Sequence, residues 1–296
     1  MAHPIIILSF NRPHYLRRVL VSLLNQAGNP MADRQVFLFQ DGSESPYTGA
    51  VRAPQAVIDE NVALFTELFP YGHAMPAPHN LGIAMNFDRA ERFVFDELRA
   101  EAAIFLEDDM TLGRHYLSAL EQMLGWAQDN PRIGYVTAYG KHRMTGEQQA
   151  AQRRRTGIMS QNWAFGTTRR QWLAQRPYVL QYLALLAERD YSARPHALIA
   201  DLFTGWGLGV PGTSQDIAKS HAAILTGASK VSTVACFGRY IGAEGVHFTP
   251  EQFAAQGYAG SFVMDEAPDL EPPTDDELSD YLRTARRSAM VTIKLA

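Results

Sequence analysis

The chain contains short runs of apolar residues that no polar residue interrupts. The first three occupy positions 5–8, 36–39 and 103–106. Runs of this length, rich in β-branched and aromatic residues, predict strands that are buried on both faces. A further strand is expected at 133–137. The intervening segments carry apolar residues at helical spacing, as in Leu16, Leu20 and Leu23. This alternation predicts an α/β fold with a mostly parallel sheet flanked by helices.

The third apolar run ends in three consecutive carboxylates, Glu107, Asp108 and Asp109. Three like charges at the end of a strand repel one another, so stability alone gives no reason to place them there. A divalent cation held by oxygen ligands does give one, because it would neutralise the cluster. The alternative interpretation is a solvated acidic turn before the next helix.

Polar residues also follow the first two predicted strands. Ser9, Asn11 and Arg12 come after the first, and Asp41 comes after the second. In a parallel sheet the carboxyl ends of the strands lie on one edge, where ligands of open α/β sheets bind. We therefore expect these residues and the carboxylates to converge on one ligand.

Composition narrows the functional classes. The chain has 296 residues, of which 46% are hydrophobic and 20% charged, as in an ordinary folded protein. The net charge of −4 lacks the excess of positive charge that general nucleic-acid binding needs, so we expect no nucleic-acid partner. The single cysteine, Cys236, excludes an intramolecular disulfide and a cysteine-built zinc site. We find neither a signal peptide nor a membrane-spanning apolar run, and expect a cytoplasmic protein.

The order of the polar motifs resembles a known family. The motifs S-F-N-R-P at 9–13, Q-D-G at 40–42, H-N-L-G-I-A at 79–84 and E-D-D at 107–109 are similar to those in the nucleotide-sugar half of glycosyltransferases with the GT-A fold. Q-D-G and E-D-D look most like the inverting N-acetylglucosaminyltransferase I type. N-L-G-I-A resembles a segment of the bacterial family-2-like inverting enzymes. The resemblance is clear over residues 4–140.

The resemblance implies a single compact, Rossmann-like GT-A catalytic domain with a C-terminal extension. Residues 1–140 would form the nucleotide-sugar-binding half and residues 141–265 the acceptor-binding and catalytic half. Residues 266–296 would form a C-terminal tail.

The family pattern also implies roles around the carboxylates. Asp109 matches the position that ligates Mn²⁺ or Mg²⁺ directly. Asp108 matches the one that contacts the ribose, or the metal through water, and Glu107 would orient its neighbours.

Other residues would bind the nucleotide. Asp41 matches a carboxylate that accepts a hydrogen bond from uracil, although an ordinary Asp-Gly turn is the alternative. Arg12 lies where a cation can pair with phosphate, or it is a solvated arginine of the first helical turn. Ser9, Asn11 and Asn80 are the remaining predicted donor-binding residues.

Five further residues are candidates in the second half. Trp163 would offer a flat face to the sugar, or it is a core tryptophan. Asp216 lies where the inverting relatives place their catalytic base, although a helix N-terminal acid is the alternative. Asp190 and Asp201 are reserve candidates for the base. His247 would complete the metal shell or contact the diphosphate, unless its role is structural.

Together these features predict a metal-dependent inverting glycosyltransferase of the hexosyl or N-acetylhexosaminyl type. Its donor would be a nucleotide sugar, most simply a UDP-sugar, and its acceptor a hydroxyl of a carbohydrate or glycolipid. A sugar nucleotidyltransferase is one alternative, but the loop at 9–13 lacks the glycines that grip a triphosphate. A non-catalytic nucleotide- or carbohydrate-binding module is another.

The basic segment 282–294 leaves two interpretations open. It could make a peripheral contact with a membrane surface. It could instead pack on the body through Leu282, Met290 and Ile293, which we favour.

Overall fold

The computed structural model describes residues 2–28, 31, 34–244 and 249–293. Their strands are β1 (Ile5–Ser9), β2 (Val36–Gln40), β3 (His73–Pro76), β4 (Ala102–Glu107), β5 (Met110–Leu112), β6 (Ile133–Thr137), β7 (Thr156–Ile158), β8 (Ala164–Thr168), β9 (Ser229–Thr233) and β10 (Gly238–Tyr240). Eight of them form one sheet in the order β3-β2-β1-β4-β8-β6-β9-β7, while β5 and β10 form a two-stranded sheet.

Helices connect these strands. They are α1 (Pro13–Leu24), α2 (Gln55–Leu68), α3 (Gly82–Arg92), α4 (Tyr116–Asp129), α5 (Gly146–Ala151), α6 (Arg169–Leu186), α7 (His196–Gly205), α8 (Gln215–Leu225), α9 (Pro250–Gln256) and α10 (Asp275–Ala289). None of the described helices is long and apolar enough to cross a membrane.

The uninterrupted apolar runs are explained by burial on both faces of the large sheet. Ile5 and Ile7 pack toward the side covered by α1, α2 and α4. Ile6 and Leu8 alternate with them and pack toward the side covered by α3, α6 and α8. Since successive residues of a strand point to opposite faces, a strand buried on both needs apolar residues throughout. The predicted class, a mostly parallel α/β sheet between helical layers, is confirmed.

The sheet is parallel at one end and mixed at the other. Strands β3, β2, β1 and β4 are mutually parallel, but β8 runs antiparallel between β4 and β6. Strands β7 and β8 come from the segment after residue 141. The sheet therefore draws on both predicted halves of the chain, and the division at residues 140 and 265 stays a prediction.

The C-terminal helix α10 packs on the body. Leu278 and Ala289 are buried, and Leu282 is partly buried. Met290 and Ile293 are more than half exposed. Ile293 contacts the body through its backbone N–H, which donates to the Val210 carbonyl at 2.9 Å. Packing of the tail is therefore confirmed, but of the three proposed side chains only Leu282 contributes substantial burial.

A buried ion pair joins α3 to α8 beneath the sheet edge. The Lys219 Nζ atom lies 2.6 Å from Glu91 Oε1 and 4.2 Å from the centre of the Phe87 ring, and both charged side chains are almost completely buried. Burial raises the pKa of Glu91 despite the charge of Lys219. The pair fixes the relative position of two helices whose N-termini face the same edge of the sheet.

We expect Lys219→Met to lower the free energy of unfolding by about 3–5 kcal/mol, because it leaves a buried carboxylate without a counter-ion. The double variant with Glu91→Gln should recover part of this loss, since it removes the remaining charge. Urea unfolding measures both. As a control, Asp280→Asn breaks an exposed pair with Arg283 and should change the free energy by less than about 0.5 kcal/mol. A double variant less stable than Lys219→Met would contradict the expectation.

Candidate functional site

The carboxyl ends of β1, β2 and β4 meet at one edge of the sheet. Their register places Ser9 opposite Gln40 and Leu8 opposite Glu107. A cavity of about 560 Å³ opens at this edge. All the predicted site residues within the described ranges line it: Ser9, Asn11, Arg12, Asp41, Asn80, Glu107, Asp108, Asp109, Trp163 and Asp216. His247 lies outside the described residues.

Arg12 lies against the carboxylate cluster. Its Nη2 atom forms ion pairs with Asp108 and with Asp109 Oδ2, the latter at 2.9 Å. Both aspartates are buried. Burial alone would lower the pKa of Arg12, but the charges of the two carboxylates raise it above its ordinary value. Arg12 therefore stays charged and offsets part of the repulsion.

Two acids of the cluster, Asp109 and Glu107, have raised pKa values. Burial raises the pKa of Asp109 to about 6, against the opposing effect of Arg12. Burial and the charges of Asp216, Asp109 and Asp108 raise the pKa of Glu107 well above its ordinary value. A cation bound beside them would stabilise the ionised forms of Asp109 and Glu107.

The carboxylate oxygens of the cluster are ligands that suit a hard divalent cation. Asp108 Oδ2 and Asp109 Oδ1 are buried, and no described residue donates a hydrogen bond to them. Fully ionised, the three carboxylates and the Arg12 guanidinium sum to two negative charges. Among the described residues, no group of three or more His, Cys, Asp or Glu side chains could by itself hold a metal ion. Two carboxylates completed by water or phosphate oxygens are, however, a common setting for Mg²⁺.

The short β5–β10 ladder also packs against Asp109. The Ile241 N–H donates to the Asp109 carbonyl at 2.8 Å. A Cβ atom on Gly242 would lie 2.8 Å from Asp109 Oδ2 and 2.4 Å from the Tyr240 hydroxyl. Only glycine fits at this position without moving the Asp109 carboxylate.

Trp163 packs within an aromatic cluster, and its contact with a sugar stays a prediction. Its ring stacks on Tyr240, with centroids 3.7 Å apart and planes at 15°, and its edge meets Tyr139 and Tyr258. It also lines the cavity. The tryptophan is thus held rigidly by an aromatic cluster beside the carboxylates.

Asp41 is engaged by the chain itself. Its carboxylate accepts hydrogen bonds from the N–H groups of Gly42, Leu81 and Gly82 at 2.7–3.0 Å, and from the Asn80 amide at 3.2 Å. Burial raises its pKa to about 6, although these hydrogen bonds act in the opposite direction. The pair of motifs at 40–42 and 79–84 therefore anchors the N-terminus of α3 at the cavity. A contact of Asp41 with a base stays a prediction.

Asp216 lies in the first turn of α8, which Ser214 caps by accepting from the Ile217 N–H. Its Oδ1 atom accepts hydrogen bonds from Asn162 Nδ2 at 3.2 Å and Gln215 Nε2 at 2.6 Å. No described residue donates to Oδ2. Within the described part of the chain, the hydrogen-bond donors to the Asp216 carboxylate therefore all reach one oxygen.

A further wall of the cavity comes from Arg52 and from the segment between α6 and α7, where Asp190, Tyr191, Ser192 and Arg194 line it. Of these residues only Asp190 was predicted, as a reserve candidate for the base. Arg52 forms an ion pair with Asp190, whose Oδ2 also accepts from Thr48 at 3.1 Å. No local sequence pattern predicts that these residues line the cavity, because tertiary packing alone brings them there. Of the two reserve acids, Asp190 lines the cavity within this ion pair, whereas Asp201 is exposed on α7.

No family model matches the chain, and no curated protein matches it. Among solved structures, it is similar to the crystal structure of S. aureus TarS 1–349, with a TM-score of 0.47 and 12% identity. That match covers 82% of this chain and 61% of the other. It is also similar to the crystal structure of S. aureus TarS, with a TM-score of 0.42 and 11% identity, over 96% of this chain and 39% of the other. The chain thus spans less than two thirds of either.

We expect Asp41→Asn to destabilise the fold by about 1–3 kcal/mol, because an amide NH₂ group would face N–H donors in place of an acceptor oxygen. The loss should depend on pH. The pKa of Asp41 rises from 3.8 to about 6 on folding, so its contribution to stability is fully present below pH 3.8 and is lost as the pH rises through 6. A two-unit shift corresponds to about 3 kcal/mol.

Urea unfolding of both proteins between pH 4 and 7.5 tests this expectation. The difference in free energy between wild type and Asp41→Asn should be largest near pH 4 and smaller at pH 7.5. A difference that is constant or that grows with pH would contradict the raised pKa.

Proposed function

We propose that this protein is a metal-dependent inverting glycosyltransferase that moves a sugar from a nucleotide sugar, most simply a UDP-sugar, to an acceptor hydroxyl. One observation carries the proposal. A single cavity combines the buried carboxylate oxygens Asp108 Oδ2 and Asp109 Oδ1 with a separate carboxylate, Asp216, and no described residue donates a hydrogen bond to those oxygens or to Asp216 Oδ2. The first feature suits the binding of a diphosphate through a cation, and the second suits removal of a proton.

The donor would bind along the edge formed by β1, β2 and β4. Asp109, with Asp108, would hold Mn²⁺ or Mg²⁺, whose charge would offset that of the diphosphate leaving group. Arg12, ion-paired with both aspartates, is 24% exposed and can turn part of its guanidinium toward phosphate. The anchored turn around Asp41 and Asn80 would form the floor beneath the nucleoside.

The sugar would lie between the carboxylates and Trp163. The flat indole face, fixed by Tyr240, can pack against sugar C–H groups. His247 is an additional candidate for the metal or the diphosphate, on the strength of the sequence resemblance alone.

Asp216 would act as the base. Its Oδ2 would take the proton of the acceptor hydroxyl as that oxygen bonds to the anomeric carbon. The bond from the anomeric carbon to the diphosphate oxygen would break with its electron pair, releasing the nucleoside diphosphate. Attack from the face opposite the leaving group inverts the anomeric centre.

Asp109→Asn should abolish the dependence of UDP binding on manganese, because the amide removes one of the two negatively charged ligands. Isothermal titration of UDP with Mn²⁺ and with EDTA measures this. We expect tighter binding with Mn²⁺ in the wild type, and weak, metal-independent binding in the variant. Asp201→Asn, an exposed acid outside the cavity, is the matched control and should bind like the wild type. Unchanged manganese-dependent binding by Asp109→Asn would reject the metal site.

Asp216→Asn should bind the donor normally and lose about 10²–10⁴-fold in the rate of transfer, because the amide cannot accept the proton. Transfer is measured as nucleoside diphosphate release with a panel of nucleotide sugars, carbohydrate acceptors and manganese. Asp190→Asn tests the reserve candidate for the base that also lines the cavity, and it should retain transfer. Full activity in Asp216→Asn with loss in Asp190→Asn would reassign the base. Binding without any turnover would favour a non-catalytic binding module.

A further inference from the structure

Resting on this proposed function, we propose that Asn162 and Gln215 are positioning residues that hold the Asp216 carboxylate in the orientation needed to accept a proton. Asn162 precedes β8, and Gln215 is the first residue of α8. Both are buried, at 5% and 4% exposure. They come from different elements and meet at the same carboxylate.

Both amides donate to the same oxygen. Asn162 Nδ2 lies 3.2 Å and Gln215 Nε2 lies 2.6 Å from Asp216 Oδ1. Two donors on one oxygen oppose rotation of the carboxylate about its Cβ–Cγ bond. Oδ2 is consequently left as the oxygen available to the cavity.

The oxygen atom of each amide receives no hydrogen bond from the described part of the chain. Asn162 Oδ1 and Gln215 Oε1 are buried, and no described residue donates to either. Flipping either amide would place its oxygen against Asp216 Oδ1, so the ionised carboxylate dictates their orientation. A buried oxygen without a partner costs stability that an apolar side chain of similar shape would avoid. Stability of the fold therefore does not explain these two amides, whereas orientation of Asp216 does.

A purely structural role makes the opposite prediction. If Asn162 and Gln215 served to hold α8 on the sheet, replacing them would lower stability and impair donor binding and transfer together. A positioning role affects the chemical step and spares both stability and donor binding.

The test uses near-isosteric apolar variants, Gln215→Met and Asn162→Leu. We expect kcat to fall about 10- to 100-fold, as for a misplaced catalytic group. The KM for the donor and the Kd of the donor by titration should stay at their wild-type values. The Tm should not fall. Gln175→Met is the matched control, because Gln175 is also buried with one unpartnered amide atom but contacts Tyr135 instead of a carboxylate. It should retain kcat. Unchanged kcat in both test variants, or a parallel fall in Tm and donor affinity, overturns the proposal.

A second measurement needs no activity. In protein labelled with ¹⁵N at asparagine and glutamine side chains, the NH₂ resonances of Asn162 and Gln215 should move when Asp216 is replaced in Asp216→Ala. Resonances that do not move overturn the proposal even if the enzyme transfers sugar. Moved resonances in a protein without any transferase activity overturn the proposed function and the positioning role with it, but leave the hydrogen bonds in place.

Discussion

The site depends on how charge is balanced at the end of β4. Parallel pairing of β1 with β4 places Arg12 beside Asp108 and Asp109, and one guanidinium offsets two carboxylates. Without Arg12 the loop between β4 and β5 would carry buried acids that nothing in the described chain neutralises. With it, the cluster keeps a net negative charge when fully ionised, so the residue that stabilises the loop would still leave charge for the proposed cation.

Much of this arrangement could be predicted because it is local in the sequence. Strands buried on both faces need apolar runs, and parallel strands place their ends together, so Ser9, Asp41 and Glu107 were expected at one edge. Apolar residues at helical spacing, such as Leu16, Leu20 and Leu23, likewise predicted the helices that cover the sheet. The cap of α8 by Ser214, which places Asp216 in the first turn, follows from the same kind of local reasoning.

The rest depends on contacts between distant segments. Strand β8 enters the sheet in antiparallel orientation, and nothing in residues 164–168 indicates which neighbours it takes. The ion pair of Arg52 with Asp190 joins two loops across the cavity, and no local pattern encodes it. For Asp41, the motif located the residue, but only the structure reveals that its oxygens anchor the N-terminus of α3.

The β5–β10 ladder also bears on the order in which the molecule folds. Residues 110–112 pair with residues 238–240, and β8 must insert beside β4 before the large sheet is continuous. Closing such long loops is entropically costly and slow, so the parallel strands can assemble well before Asp109 is enclosed. A nascent chain would then expose its acidic loop until the second half has been synthesised, and the cavity would be complete only with the last steps of folding.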